Sequence, residues 1–337
     1  MTSLSRITIR DVAAHAGVSH QTVSRVINNS KRVSPETRAR VQASIQELGY
    51  HPNAIARSMA LGWTDMLACV APSLADRTYS SLIEGAENKA REMNFFLIAS
   101  FANTPQIFDN ILKELIDSNR VAGMIVIHPF IDKRYQLLRE AFPFVFVGGH
   151  SKSLQVSTVN LNDELAAFDA TVHLISKGHR RITMFTGPMT SDSARDRCAG
   201  FERAIRQAGL EYDPTMVIEG DWSATSGQDA LIRLAKVGQL PTAIFAQNDR
   251  MAIGAIQAAR KLGLQVPRQL SVIGVDDIPL ASYFDPALTT MRQDIIRIGS
   301  EATRLLIEEI RNPDLAKRNV NIKADLVVRN STCSVPV

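Results

Sequence analysis

Apolar residues recur at helical spacing through the first fifty positions: Ile9, Val12, Ala13 and Ala16, then Val23, Val26 and Ile27, then Val41, Ile45 and Leu48. Stripes of this kind predict short amphipathic helices. Gly17 interrupts the first run, and Ser19 stands where it can N-cap the second. Ser34, Pro35 and Glu36 supply a cap, a first-turn proline and an acid near the positive end of the third. Two short helices joined by a tight turn and followed by a third read as a helix-turn-helix module. Beyond Gly49 the pattern changes. Tyr50-His51-Pro52 extends the chain, and Asn53 begins NAIARSMA, one or two helical turns too short to be stable alone.

From about Trp63 onward, short β-rich runs (MLACVAPS, FFLIAS, GMIVIHP, FVFVGGH, RITMFTGP, MVIEGDW, TAIFAQND, SVIGVDD) alternate with helical stretches such as SSLIEGAENKAREM, SARDRCAGFERAIRQAG and DRMAIGAIQAARKLG. That alternation predicts parallel sheets flanked by helices, with ligand-facing groups at the carboxyl ends of strands. About 275 residues suffice for two lobes.

Charge sharpens the reading of the first module. Residues 1–62 hold eight basic side chains and three acids, whereas the remainder holds 30 and 31, so the whole-chain excess of +4 sits in the first fifth. A local positive excess is what phosphate neutralisation requires. Gln21 and Arg25 share one face of the second helix, opposite the valines, and in the major groove Gln can pair with adenine and Arg with guanine. Double-stranded DNA is therefore the expected partner.

Enzymatic chemistry finds little support. Cys69, Cys198 and Cys333 lack metal-ligand spacing and are expected to be reduced, and seven His residues form no zinc motif. Neither a Walker loop nor a GxSxG elbow occurs, and the glycine pairs lack dinucleotide spacing. No catalytic residue, metal or cofactor is expected. No apolar run reaches membrane-spanning length and MTSLSRITIR has no signal-peptide core, so the expected location is cytoplasmic and nucleoid-associated.

The motifs DVAAHAGVSHQTVSRVIN, VSPETRARVQASIQELGYHPNAIARSMA, GHRRITMFTGP, RCAGF, EGDWSATSG, QNDRMAIGA, SVIGVDD and LTTMRQD, spread over nearly the whole chain, closely resemble the lactose repressor (LacI/GalR-type) family of bacterial transcription regulators. The resemblance implies a multi-domain protein: an all-α helix-turn-helix DNA-binding domain at 1–50, a hinge helix within 51–62, and a core at 63–337 made of two α/β, Rossmann-like lobes of the periplasmic-binding-protein type. The lobes would comprise about 63–161 with 293–322, and about 162–292 with 323–330, the chain crossing near 161 and 292. It further implies a homodimer on a pseudopalindromic operator. The tail VRNSTCSVPV carries no heptad pattern, so a dimer is expected rather than a tetramer.

Carried over residue by residue, the resemblance makes His20, Gln21 and Arg25 base readers and gives phosphate contacts to Thr8, Ser19, Thr22, Ser24, Asn28 and Ser34. Arg32 and Asn53 complete the DNA-binding set. Met59 falls where the family usually has a leucine wedge between central base pairs. His20 and Arg32 depart from the lactose-type pattern, so a related but not identical operator is expected.

For a small-molecule effector, the resemblance assigns Arg197, Trp222, Asn248, Asp276 and Gln293. Their chemistry suits a sugar: Arg, Asn and Asp hydrogen-bond vicinal hydroxyls, and an indole offers a flat face to pyranose C–H groups. Taken singly, Trp222 fits a core equally well, and Arg197 with Asp276 fits a plain ion pair. In the other lobe Gly148 stands where an acidic sugar ligand would be expected and Asp76 at an apolar cleft position. Tyr79 and His128 lie in segments that reach the cleft, though a surface role fits each as well. The expectation is a sugar-released repressor of a carbohydrate gene set. The alternative is a corepressor-type regulator whose purine-like ligand promotes DNA binding.

Overall fold

A computed structural model describes residues 7–27, 30, 32–50, 64–75, 77–128, 133–139, 142–149 and 155–335. Asn28, Asn53, Met59, Asp76 and the whole 51–62 segment, on which several expectations rest, lie outside these. The chain divides into Met1–Thr64 and Asp65–Val337.

In the first unit, α1 (Ile9–His15), α2 (His20–Ile27) and α3 (Pro35–Glu47) close over a core of Val12, Ala13, Ala16, Val23, Val26 and Val41, with Ile9, Ile27, Ile45 and Leu48 packed against it. Each helix start is satisfied locally. Thr8 and Asp11 form a reciprocal capping box, Ser19 Oγ accepts from the Thr22 amide at 3.1 Å, and Ser34 Oγ accepts from the Thr37 amide at 3.3 Å. The turn into α2 passes through Gly17 at φ +62°, a left-handed conformation that costs glycine little. At the other end of α2, the Arg38 guanidinium donates to Val26 O at 3.4 Å and to Ser30 O at 2.6 Å, placing a cation at the negative helix terminus.

The second unit alternates strands and helices: β1 (Met66–Ala71), α4 (Arg77–Glu92), β2 (Phe96–Phe101), α5 (Pro105–Leu112), β3 (Gly123–Ile127), β4 (Phe144–Val147), β5 (Ser157–Leu161), α6 (Asp163–Ser176), β6 (Ile182–Thr186) and α7 (Asp192–Gln207). It continues through β7 (Val217–Glu219), α8 (Ala224–Lys236), β8 (Ala243–Ala246), α9 (Asp249–Lys261), β9 (Ser271–Asp276), α10 (Pro279–Tyr283), β10 (Thr289–Arg292), α11 (Ile295–Arg311), β11 (Asn319–Ile322) and β12 (Asp325–Val327). One six-stranded sheet runs β11-β5-β4-β3-β1-β2 and the other β12-β10-β9-β8-β6-β7. All pairings are parallel except β10 with β12. The chain passes between the sheets three times, after β5, after β10 and between β11 and β12.

Central strands β3, β4, β6 and β8 are buried along their whole length, as expected when helices cover both faces of a parallel sheet. Glycine permits the closest helix contact: a Cβ on Gly85 of α4 would lie 2.0 Å from Ile296 O, and one on Gly299 of α11 would lie 1.9 Å from Leu82 O. All three cysteines are free thiols. Burial pushes Cys69 up to about 12 and Cys198 up to about 11, which leaves both inert.

The C-terminal segment is fastened beneath the second sheet by histidines. His179 Nδ1 meets Thr242 Oγ1 at 3.1 Å, its Nε2 lies 3.0 Å from both Ser271 Oγ and Cys333 O, and His173 Nε2 meets Thr332 Oγ1 at 3.0 Å. Burial lowers both imidazoles, His173 to about 4, and neighbouring Lys177 adds to the effect. Because the folded pKa lies below the unfolded one, the unfolded chain takes up protons first as pH falls, and stability present above about pH 6.5 declines towards the folded pKa. The melting temperature is expected to fall between about pH 7 and about pH 5, and His173→Gln to reduce that fall. An identical pH dependence in the variant would remove His173 from this account.

Candidate DNA-reading face and effector cleft

On α2, His20, Gln21 and Arg25 are exposed, Thr22 and Ser24 are half-buried, and Val23 and Val26 on the opposite face are buried. The valines hold the helix to its neighbours, so the polar residues can face outward together. Thr8, Ser19 and Ser34 cap three exposed helix N-termini, where the positive end of the helix suits phosphate oxygens. Arg32 is exposed beside Ser34.

In the second unit the C-terminal lobe gathers three of the expected effector residues around one another. Arg197, on α7, is nearly fully buried; its Nε donates to Asp163 Oδ1 at 2.7 Å and its Nη1 to Gln247 O. Its guanidinium lies 5.8 Å from the centre of the Trp222 ring. That ring lies against Gly187, where a Cβ would come within 2.0 Å of Cε2, so glycine makes room for the indole. Asn248 has two tasks: its Oδ1 caps α9 by accepting from the Met251 amide at 2.8 Å, and its Nδ2 donates to Trp222 O at 3.0 Å. That second bond fixes a tryptophan whose backbone is held at φ +69°.

Asp276 and Gln293 form a second group. They end β9 and follow β10, neighbouring strands in parallel register, and Gln293 Nε2 donates to Asp276 Oδ1 at 2.7 Å. Asp276 takes φ +119° and Asp277 φ +57°, backbone strain of the sort that collects at binding sites. The ion pair between Arg197 and Asp276 that residue chemistry allows is not formed: Arg197 is matched with Asp163, and Asp276 with Gln293. The sequence signal for Asp163 was only its place in the first turn of α6, 34 positions before the arginine it neutralises.

From the N-terminal lobe, Tyr79 on α4 and His128 after β3 meet edge to face with ring centres 5.7 Å apart. The His128 ring occupies the space above Gly148, where a Cβ would fall 2.7 Å from Cε1. Gly148 therefore leaves room for an imidazole. Burial lowers the His128 pKa, with Arg134 and Arg197 adding to that effect and the Gly148 backbone and Asp192 opposing it. Asp192 and Arg197 both belong to α7, so His128 and the C-terminal lobe influence one another across the lobes. No cluster of His, Cys, Asp and Glu suited to a metal ion occurs among the described residues. No described helix is long and apolar enough to cross a membrane.

A three-helix DNA-reading unit joined to two parallel sheets with polar and aromatic groups at their strand ends defines the class of ligand-responsive DNA-binding regulators. Comparison with known proteins agrees. Residues 8–53 match the bacterial regulatory proteins of the lacI family, and residues 171–332 match the periplasmic binding protein-like domain. The HTH-type transcriptional repressor CytR of Escherichia coli (strain K12) is 32% identical over 98% of this chain and 97% of its own length. The HTH-type transcriptional regulator DegA of Bacillus subtilis (strain 168) is 35% identical over 97% of this chain and 98% of its own. Among solved structures, the Lac repressor dimer bound to operator and the anti-inducer ONPF superposes with a TM-score of 0.86 at 31% identity, covering 98% of this chain and 100% of that one. The transcriptional regulator CelR in complex with cellobiose gives 0.74 at 32%, covering 97% and 100%. The chain belongs to the LacI family of bacterial regulatory proteins. It is a DNA-binding transcriptional repressor, and its relatives are regulators rather than enzymes.

Proposed function

We propose that this repressor controls a carbohydrate gene set and is released from a pseudopalindromic operator by a small sugar or sugar derivative. The observation that carries the reading is the C-terminal-lobe arrangement: buried Arg197 over the face of Trp222, Asn248 bonded to the same tryptophan, and the Asp276–Gln293 pair on adjoining strand ends. Polar groups of both signs beside an indole face suit a ring that is hydroxylated at its rim and apolar on its faces. The CelR structure, a cellobiose complex, supports the same class of ligand. Tyr79 and His128, with Asp76, would complete the site from the other lobe.

In this scheme residues 1–50 read DNA through His20, Gln21 and Arg25. Thr8, Ser19, Thr22, Ser24, Asn28 and Ser34 hold the backbone, Arg32 and Asn53 complete the DNA-binding set, and Met59 of the 51–62 hinge wedges into the central step. The sugar must bind the low-affinity form better, since a ligand indifferent to both forms shifts nothing. The repressor acts in the cytoplasm as a homodimer. Exposed Phe96 and Phe101 on edge strand β2, with Leu280 and Tyr283 on α10, offer apolar surface for self-association. Light scattering is expected to return the mass of two chains, and a mass of four would contradict the dimer.

A purine-like corepressor is the second reading. The Tyr79–His128 pair adds ring surface to that of Trp222, and PurR of Haemophilus influenzae (strain PittEE) is 33% identical over 97% of this chain and 99% of its own. Thermal shifts with cellobiose, ONPG, common mono- and disaccharides, hypoxanthine and guanine, each followed by operator titration, separate the readings. A sugar that raises the melting temperature and weakens operator binding supports induction. A purine that raises both overturns it.

A further inference from the structure

Asp249 opens α9 directly after Asn248, and its side chain is fully buried. A carboxylate withdrawn from water needs a donor for each oxygen. Both are supplied by segments that carry candidate effector residues. Oδ1 accepts from the Thr290 hydroxyl at 2.6 Å, and Thr290 lies on β10 three positions before Gln293. Oδ2 accepts from the Ile278 amide at 2.8 Å, which fixes the turn containing Asp276 and Asp277. Gly274 of β9 makes the approach possible, because a Cβ there would fall 2.3 Å from Oδ1.

We propose that Asp249 is a positioning residue for the effector: without touching the ligand, its carboxylate holds the Asp276–Ile278 turn and β10 in register and so presents Asp276 and Gln293 as a pair. The proposal rests on the reading of that pair as effector contacts. Asp249 is the hub for the strained turn. Asn248 ties the Trp222 loop and Asp249 ties the Asp276 turn, so two consecutive residues at one helix start organise both halves of the C-terminal-lobe site.

The charges around this hub make it sensitive to pH. Burial pushes the Asp249 carboxyl up to about 7; hydrogen bonds from Thr290 and Ile278 oppose the rise, Asp277 adds to it, and Arg329 opposes it. Asp277 is itself held by Arg292 Nε at 2.7 Å and Arg329 Nη2 at 2.6 Å. Ionised Asp249 accepts from both donors with charge assistance, whereas the protonated acid is a weaker acceptor. Thr290 suits either form, since its hydroxyl can donate to the carboxylate or accept from the acid.

Asp249→Asn mimics the protonated form with little change in shape, so it separates positioning from folding. In the ligand-free protein, the Ile278 amide of the variant is expected to exchange with deuterium roughly three to ten times faster, the effect of replacing a charge-assisted bond by a neutral one. With cellobiose as the first sugar probe, wild-type affinity is expected to be several-fold weaker at about pH 6 than at about pH 8, and the variant to stay near the low-pH value throughout. Thr290→Val is expected to quicken the same exchange, and Thr290→Ser to restore it. Wild-type exchange at Ile278 in Asp249→Asn, or a retained pH slope in sugar affinity, overturns the proposal. Failure of cellobiose and every other sugar to bind the wild type would sink the sugar reading alone, and Ile278 exchange would still decide whether Asp249 holds the turn.

Discussion

Asp276→Ala is expected to give a repressor that grips its operator as the wild type does and stays bound when the inducing sugar is added. Asp276 ends β9 with its carboxylate bonded to Gln293, where it can accept from adjacent hydroxyls of a bound ring. Removing one partner of a buried polar contact costs about 1–3 kcal/mol, roughly a 5- to 150-fold loss of affinity. Coupling between sites is reciprocal, so a sugar that no longer prefers the weak-binding form also loses its hold over the operator. Collapse of the empty core is not expected, because Arg197 has its own partner in Asp163. Alanine keeps the Cβ that aspartate already carries at φ +119° but loses the side-chain bond to Gln293. Asp276→Asn, which keeps the shape of the side chain, is therefore paired with it. Gel-shift titration with and without sugar, beside a melting curve, decides the matter: tight binding without release supports the site, and release at wild-type sugar concentration removes Asp276 from it.

Arg25→Ala is expected to weaken operator binding by about 1–3 kcal/mol while changing binding to random DNA much less, because a bidentate base contact is lost. Arg25 is exposed on the outer face of α2, one turn beyond Gln21, and the buried Val23 and Val26 hold that helix independently of it. The melting temperature of the first unit should therefore be unaffected. Equal weakening on operator and random DNA would show that Arg25 holds phosphate and reads no base.

The DNA-reading unit was legible in the sequence nearly residue for residue. Its core is the set of apolar positions that recur at helical period, and its caps at Ser19 and Ser34 act on amides three positions away, whereas the Thr8–Asp11 capping box emerged only in the structure. Periodicity and capping are properties of contiguous residues, so they need no knowledge of the rest of the fold. The buried strands β1, β3, β4, β6, β8 and β9 were legible for the same reason, as apolar runs, whereas Ser157–Leu161 and Thr289–Arg292, which also lie inside their sheets, were not, because Ser, Thr and Asn interrupt them. Short edge strands such as Asn319–Ile322 and Asp325–Val327 were not, because their residues alternate in burial or lie exposed and only pairing with β5 and β10 makes them strands.

Within the cleft, residue chemistry and family resemblance pointed to Arg197, Trp222, Asn248, Asp276 and Gln293, but could not say which of them bind one another. Whether Arg197 would pair with Asp276 was settled by packing, which brings α6 beside α7 and sets Asp163 against the guanidinium. The same holds for Asp249, whose two donors lie 29 and 41 positions away on different segments. A buried charge takes whichever donors the assembled layers deliver to it, and in a fold where the chain crosses between sheets three times those donors come from distant parts of the sequence.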